Sequence, residues 1–228
     1  MINGRRVLAV IAARGGSKGL PRKNVLPFRG APLIAWTIRA AQTAPSIDRL
    51  ILSSDDPEII ETARSLGCEA PFQRTAELSS DTAASIDVVL DAAERVPGYD
   101  VIVLLQPTSP LRVAGDIEAT LALMADSGAP SAVSVSEAPC HPYAIFGRDP
   151  TSRLSAFADI PAGISLRRQD LPPAYCLNGA VYAAELAWLR AERTMCKAGE
   201  TVAWEMPVER SADIDTLEDL RAAERSPG

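Results

Sequence analysis

Between positions 14 and 23 the chain places Arg14, Lys18, Arg22 and Lys23 among Gly15, Gly16 and Gly19, and a further cation follows at Arg74. The molecule carries a net charge of -6, so cations gathered this tightly point to a polyanion held there. Glycine admits backbone angles closed to other residues and has no side chain to keep a ligand away. The loop amides could then converge on anionic oxygen as a nest does. No Gly-Lys-Ser or Gly-Lys-Thr follows at Walker spacing, and Gly-x-Gly-x-x-Gly is absent. Far along the chain, Asp213 and Asp215 flank Ile214. If that segment is extended, both carboxylates share a face and repel each other unless a cation lies between them. Mg²⁺ suits the place, because it takes carboxylate and phosphate oxygens and keeps several waters. The alternative gives Asp215 the task of capping a final helix, with Glu218 three residues on. Cations opposite an acidic pair suit phosphoryl or nucleotidyl transfer, since both stabilise charge on phosphate oxygens and the leaving group. A nucleotide-binding protein without chemistry is the second reading.

Other chemistries are disfavoured. His141 is the single histidine, which leaves no two-His or His/Cys zinc site, and no Gly-x-Ser-x-Gly elbow is present for a serine hydrolase. The four cysteines form no Cys-x-x-Cys pair and read as reduced thiols of a cytoplasmic protein. No signal peptide and no 18-residue apolar window is found, so no membrane partner is expected. The acidic balance argues against nucleic acid as a partner.

A ligand loop of this kind needs a rigid strand in front of it. Val7 to Ala13 is an unbroken apolar run of strand length, the pattern of a central parallel strand. Helices are predicted over Pro32 to Ala44, Pro57 to Leu66, Thr82 to Arg95, Asp116 to Ala125 and Glu185 to Arg193. Asp55 or Asp56 is placed to cap the second of these, with Pro57 suited to its first turn. Leu217, Leu220 and Ala223 give a closing helix its inner face. Strands are predicted over Arg49 to Ser53, Cys68 to Ala70, Val101 to Leu105, Ala132 to Val135 and Asn178 to Ala184, the last entered through a turn at Asn178-Gly179. Val202 to Val208 is a further strand, toward the sheet edge. Arg14, Ser53 to Asp56 and Gln106 to Arg112 all follow strands, where open α/β sheets bind ligands. From Glu137 to Ala174 the helical period is lost over too long a stretch for a loop, which reads as a small subdomain, a lid or a dimer arm.

Five motifs occur in order: Ala13-Arg-Gly-Gly-Ser-Lys-Gly-Leu-Pro-Arg-Lys-Asn24, Leu105-Gln-Pro-Thr-Ser-Pro-Leu-Arg112, Arg168-Gln-Asp-Leu-Pro172, Asn178-Gly-Ala-Val-Tyr182 and Asp213-Ile-Asp215. With these the chain resembles the acylneuraminate cytidylyltransferase family, which makes CMP-sialic acid and other CMP-nonulosonates, over nearly its whole length. The resemblance implies an α/β, Rossmann-like three-layer sandwich with a mostly parallel central sheet. The chain would be one nucleotidyltransferase domain, 1–228, with an inserted dimerisation subdomain at 137–174 that reaches over the partner's site in a homodimer. It also implies transfer of CMP from CTP to a nine-carbon 2-keto sugar acid, with release of pyrophosphate. Arg14, Ser17, Lys18 and Lys23, on the loop of Gly15 and Gly16, would surround the CTP phosphates, Lys23 closest to the α-phosphate. Asn24 and Arg74 would line the nucleotide site, Asp213 and Asp215 would carry Mg²⁺, and Gln106 and the Arg167-Arg168 region would face the sugar acid. Tyr175 and Asn178 are further candidates on the sugar side. Two departures stand out: Ala12 replaces the usual proline before Ala13-Arg14, and Cys176-Leu177 stands where some sialic-acid-specific members carry an arginine. The second favours another bacterial nonulosonate over N-acetylneuraminate, with an eight-carbon keto acid as the runner-up acceptor.

Overall fold

The computed structural model describes residues 1–161 and 163–226, except the side chain of Arg168. Its strands are β1 (Val7–Ala12), β2 (Pro27–Phe28), β3 (Ala31–Pro32), β4 (Arg49–Ser53), β5 (Val101–Leu105), β6 (Ser131–Glu137), β7 (Phe146–Arg148), β8 (Leu154–Ala156), β9 (Tyr175–Glu185) and β10 (Thr201–Glu205). Its α-helices are α1 (Leu33–Gln42), α2 (Pro57–Ser65), α3 (Ser85–Arg95), α4 (Ala114–Ser127), α5 (Leu186–Glu192) and α6 (Leu217–Arg225).

Six strands form one sheet in the order β10-β6-β9-β5-β1-β4. β1 runs parallel to both β4 and β5, and β10 runs parallel to β6. β1 and β5 read as apolar runs because helices cover both of their faces, and all five residues of β5 are buried. Alternate side chains divide between two cores. Val7, Ala9, Ile11, Val103 and Leu105 pack with Ile34, Ile38, Ile59, Ile117 and Met124 on the side of α1, α2 and α4. Leu8, Val10, Ile102 and Leu104 pack with Val89, Leu90 and Leu189 on the side of α3 and α5. The molecule is thus a three-layer α/β sandwich with a mostly parallel sheet. Each fully buried aliphatic side chain contributes about 1.5–3 kcal/mol, so this double packing makes the central strands a rigid base for the loops that leave them.

Several expectations are corrected. β9 begins at Tyr175 and runs antiparallel to both neighbours. Asn178-Gly179 is therefore no turn at its entrance: it is an irregularity inside the strand, where the register with β6 shifts between Val133 and Val135. Gly179 there has φ +74°, which favours glycine. Cys68 to Ala70 makes no strand, only a parallel bridge between Ile51 and Glu69. α3 starts at Ser85, three residues later than its apolar period suggested. β10 does lie at the sheet edge, but ends at Glu205, before Met206 and Pro207. Asp56 caps α2 as expected, accepting the amides of Glu58 at 2.9 Å and Ile59 at 3.1 Å. Asp215 does not cap α6. Thr216 does, its hydroxyl accepting the Asp219 amide at 3.2 Å while Asp219 Oδ2 accepts the Thr216 amide at 2.8 Å.

Between β6 and β9 the chain forms the β7–β8 hairpin, which pairs with no strand of the main sheet. His141 closes a turn there, its Nδ1 accepting the Tyr143 amide at 3.2 Å.

Candidate active site

The chain passes from β1 to β4 on one side and then crosses to β5 on the other, so the sheet's switch point lies between β1 and β5. Loops at the carboxyl ends of those strands diverge and leave a crevice. A cavity of about 540 Å³ occupies it, and Arg14, Ser17, Lys18, Lys23, Asn24, Arg74, Gln106, Asp213 and Asp215 all line it. Residues far apart in sequence are thus brought to one place.

The cationic wall is built by packing. Arg22 takes the left-handed conformation, φ 60°, and opens a single helical turn, Lys23–Val25, that buries Lys23 and Asn24. Asn24 Nδ2 donates to the Arg14 carbonyl at 3.0 Å and so fixes the start of the loop. Arg74 is buried, donating through Nε to Ser79 Oγ at 3.0 Å, with Asp55 Oδ1 at 3.6 Å. Burial lowers the pKa of its guanidinium, and Asp55 opposes the shift. Arg22 is not part of the wall: it turns outward to Asp56 and Glu58.

The glycines act differently from the expectation. Gly15, Gly16 and Gly19 are not among the positive-φ residues. A Cβ on Gly15 would lie 2.5 Å from Asp56 Oδ2, and one on Gly19 would lie 2.6 Å from the Asp215 carbonyl. Their value is close approach. Gly15 lets the loop lie on the Asp55-Asp56 turn, and its amide donates to Asp55 Oδ1 at 3.1 Å. That amide is turned from the cavity, so the nest expected of the loop is not formed at Gly15. Gly16 has open space where a Cβ would go, and neither it nor Gly15 lines the cavity.

The acidic wall comes from the other end of the chain. Ile214 is buried with Leu20, Phe28 and Leu33, while Asp213 and Asp215 on either side of it line the cavity. Its amide donates to the Thr108 carbonyl at 2.8 Å. Burial pushes the Asp213 carboxyl above its usual range, a hydrogen bond from Thr108 opposes this, and Asp215 adds to the rise. Lys23 Nζ lies 2.8 Å from Asp215 Oδ1, the Lys23 side chain 11% exposed and that of Asp215 72% exposed. Two carboxylates beside an open cavity are hard oxygen donors of the kind Mg²⁺ takes.

Asp81 was not singled out by sequence reasoning, although Ser80-Asp81 lies just ahead of α3. Its carboxylate bridges two loop cations, 3.0 Å from Arg14 Nη1 and 2.6 Å from Lys18 Nζ. The hydrogen bond from Lys18, with Arg14 adding less, holds it below the usual carboxylate range against desolvation. Thr108 was likewise overlooked inside its motif.

The sugar-side candidates are not gathered around this cavity. Gln106 lines it, but Tyr175, Arg167 and Asn178 do not. Tyr175 is bonded across β6 to Glu205 of β10, which raises its pKa. Arg167 is exposed beyond the β7–β8 hairpin, and the Arg168 side chain lies outside the described residues. Asn178 is buried and committed inward, Oδ1 to Ser134 Oγ at 2.6 Å and Nδ2 to Ser211 Oγ at 3.0 Å. It braces the bulge of β9.

Comparison with known proteins agrees with this geometry. The family model described as cytidylyltransferase matches residues 8–148. A pseudaminic acid cytidylyltransferase of Campylobacter jejuni subsp. jejuni is 34% identical over 221 residues, covering 95% of this chain and 94% of that protein. An N-acylneuraminate cytidylyltransferase of Oncorhynchus mykiss is 32% identical, covering 97% of this chain but 50% of that protein. Among solved structures, CMP:2-keto-3-deoxy-manno-octonic acid synthetase complexed with CTP superposes with a TM-score of 0.70 at 19% identity, over 96% of this chain and 97% of that one. At that identity the likeness establishes the fold alone. With the fold, the cleft and the relatives in agreement, the chain belongs to the acylneuraminate cytidylyltransferase family.

Proposed function

We propose that this protein transfers the cytidylyl group of CTP to the anomeric hydroxyl of a nine-carbon 2-keto sugar acid, a nonulosonate. The hydroxyl oxygen bonds to the α-phosphorus as the bond to pyrophosphate breaks, and the hydroxyl proton passes to solvent water. The observation that carries this reading is one cleft with Arg14, Lys18, Lys23 and Arg74 facing Asp213 and Asp215. Arg14 and Lys18 bind the triphosphate, displacing Asp81. Lys23, buried and fixed at the cavity wall, meets charge developing at the α-phosphate, and groups so preorganised act more strongly than they would in water. Asn24 and Arg74 shape the nucleotide end, and Gln106 faces the acceptor. Asp213 and Asp215 would hold Mg²⁺, which when bound neutralises phosphate oxygens and the departing pyrophosphate.

The protein acts as a homodimer. The β7–β8 region exposes Leu154 by 66% and Phe157 by 74%, with Ile145 and Phe146 beside them, apolar surface that a two-fold partner would cover. That partner would complete the acceptor side, where this chain alone offers few cavity groups; Arg167 and Arg168 lie on the same arm and are suited to a carboxylate. No helix among the described residues is long and apolar enough to cross a membrane. The cytoplasm, where CTP and reduced thiols coexist, is the compartment that fits.

A pyrophosphate-release panel tests the assignment. CTP should be used in preference to ATP, GTP and UTP. Among acceptors, a pseudaminate- or legionaminate-type acid should exceed N-acetylneuraminate, because Cys176 and Leu177 leave that rim without an arginine. Preference for the eight-carbon acid would overturn the acceptor class, and indifference among the four nucleotides would overturn the cytidylyl assignment.

A further inference from the structure

Arg112, the last residue of the Leu105–Arg112 motif, has no part in the chemistry above, and its surroundings are unusual. It is 2% exposed. Its Nη1 alone makes three hydrogen bonds, to the carbonyls of Gln106 at 3.2 Å, Ser109 at 3.2 Å and Ala180 at 3.1 Å. Nε and Nη2 are buried with no hydrogen-bond partner among the described residues. Asp116, the acid whose charge reaches it, is committed to Arg210 at 2.7 Å and 3.0 Å and to the Val113 amide at 3.1 Å. Burial accordingly pulls the guanidinium down to about 9, with only Asp116 opposing. A buried cation with unpaired donors destabilises a fold, and an apolar side chain of similar volume often serves stability as well or better.

The three carbonyls indicate what the residue does. Gln106 and Ser109 belong to the loop leaving β5, and Ala180 follows the bulge of β9. One nitrogen therefore ties that loop to the neighbouring strand. The same junction is stitched by Ser109 Oγ, which donates to the Asn178 carbonyl at 3.5 Å, while Thr37 Oγ1 of α1 donates to the Gln106 carbonyl at 3.4 Å and ties the loop to that helix. The fit is tight, for a Cβ on Gly179 would lie 2.5 Å from Gln106 Oε1. Thr108, in the middle of the loop, accepts the Ile214 amide at 2.8 Å and bonds the Asp213 carboxylate.

We propose that Arg112 is a positioning residue: by gathering the Gln106, Ser109 and Ala180 carbonyls onto one nitrogen it sets the loop that presents Gln106 to the acceptor and Thr108 to Asp213. The inference rests on the cytidylyltransferase reading of the cleft. It separates stability from activity, since the guanidinium is poorly satisfied where it lies and yet fixes the geometry of the site.

The test compares the wild-type protein with Arg112→Met, which keeps the stem and removes the donors, and Arg112→Lys, which keeps one charged donor. Melting temperature, kcat, and separate KM values for CTP and for a nonulosonate acceptor are measured. Arg112→Met should melt within a few degrees of wild type, or higher, while its kcat falls at least tenfold and its acceptor KM rises. CTP KM should stay within twofold, because Arg14, Lys18 and Arg74 stand on other elements. Arg112→Lys should recover part of the lost kcat. A folded Arg112→Met with wild-type kcat and acceptor KM overturns the proposal. So does failure of both variants to fold, which would make Arg112 a requirement of the fold itself. A wild-type protein that releases no pyrophosphate with any acceptor would instead refute the reading on which the inference rests.

Discussion

The nucleotide side of the cleft and the segment from Glu137 to Tyr175 are built in opposite ways. On the nucleotide side, Lys23, Asn24 and Arg74 are buried, held by the turn after the loop, by the Arg14 carbonyl and by Ser79. In the other region the strands are three residues long, and large apolar side chains stand in solvent. One surface carries its groups on a sheet buried on both faces; the other lacks a face to pack against. The difference teaches that a fully packed sheet can hold charged groups in fixed places, whereas the arm leaves its apolar groups uncovered, the surface on which the proposed dimer rests.

Replacing Lys23 strikes the organised half where it is most committed. Lys23→Ala should lower kcat by about 10²–10³-fold, the range for a preorganised charge-stabilising donor. It should do so with little change in CTP KM, since a group acting on the transition state affects rate more than ground-state binding. Turnover within threefold of wild type would remove Lys23 from the chemistry and break the contrast. Asp215→Asn should cost roughly 10–100-fold, from loss of a charged partner worth about 1.5–3 kcal/mol. A steeper magnesium requirement should accompany it, with the melting temperature unchanged, because Thr216 and Asp219 do the capping. A clear fall in melting temperature with activity intact would show that Asp215 is structural.

The exposed arm should respond in a different currency. Phe157→Asp should shift sedimentation from dimer to monomer and raise acceptor KM about tenfold, the equivalent of one lost aromatic contact, with CTP KM unaltered. Monomer at micromolar concentration in the wild type would defeat the dimer reading outright. At the loop cations the expected change has the opposite sign: Asp81→Asn should lower CTP KM by about two- to fivefold, since an exposed pair is a weak competitor. Unchanged or weakened binding would mean that Asp81 holds the cations in place. The smallest effect belongs to Asp56→Ala, which removes a helix cap worth about 1 kcal/mol and should lower the melting temperature by roughly 2–4 °C at neutral pH. The bond to Arg22, and then the Ile59 and Glu58 amides, hold the Asp56 pKa low against burial. Its stabilisation is present above the ordinary carboxylate range and is lost as pH falls through the folded pKa. The difference between variant and wild type should therefore shrink in acid, and a gap that stays constant would discount the ionised cap.

The packed half was also the legible one. Val7 to Ala12 and Val101 to Leu105 read as strands because helices cover both of their faces, and the motif residues fell at their ends for the same reason. β9 was legible as a strand but not in its direction or its start, since chain direction depends on where the arm returns. Gly15 and Gly19 looked like conformational glycines, whereas what matters is the nearness of Asp56 and of the Asp215 backbone, a tertiary fact. Thr216-Leu-Glu-Asp219 could have been recognised as a Thr-x-x-Asp cap, which would have freed Asp215 from that alternative. Asp81 and Thr108 carried no comparable signal: one acts through two cations distant in sequence, the other through the segment after β10. Asn178 drew attention by its motif, but its amide is spent inside the sheet.

Lys23 and Asp215 meet across 192 residues, and Gly19 lies against the Asp215 backbone. The ligand loop is synthesised well before its acidic counterpart. While the chain is still emerging from the ribosome, the sheet can form around β1, β4 and β5, with Arg14 and Lys18 already facing Asp81 but without Asp213 and Asp215 opposite them. Such a nascent chain would carry the cationic wall of the cleft without its acidic one. The cleft has both of its walls only once Ile214 takes its place beside Leu20, Phe28 and Leu33.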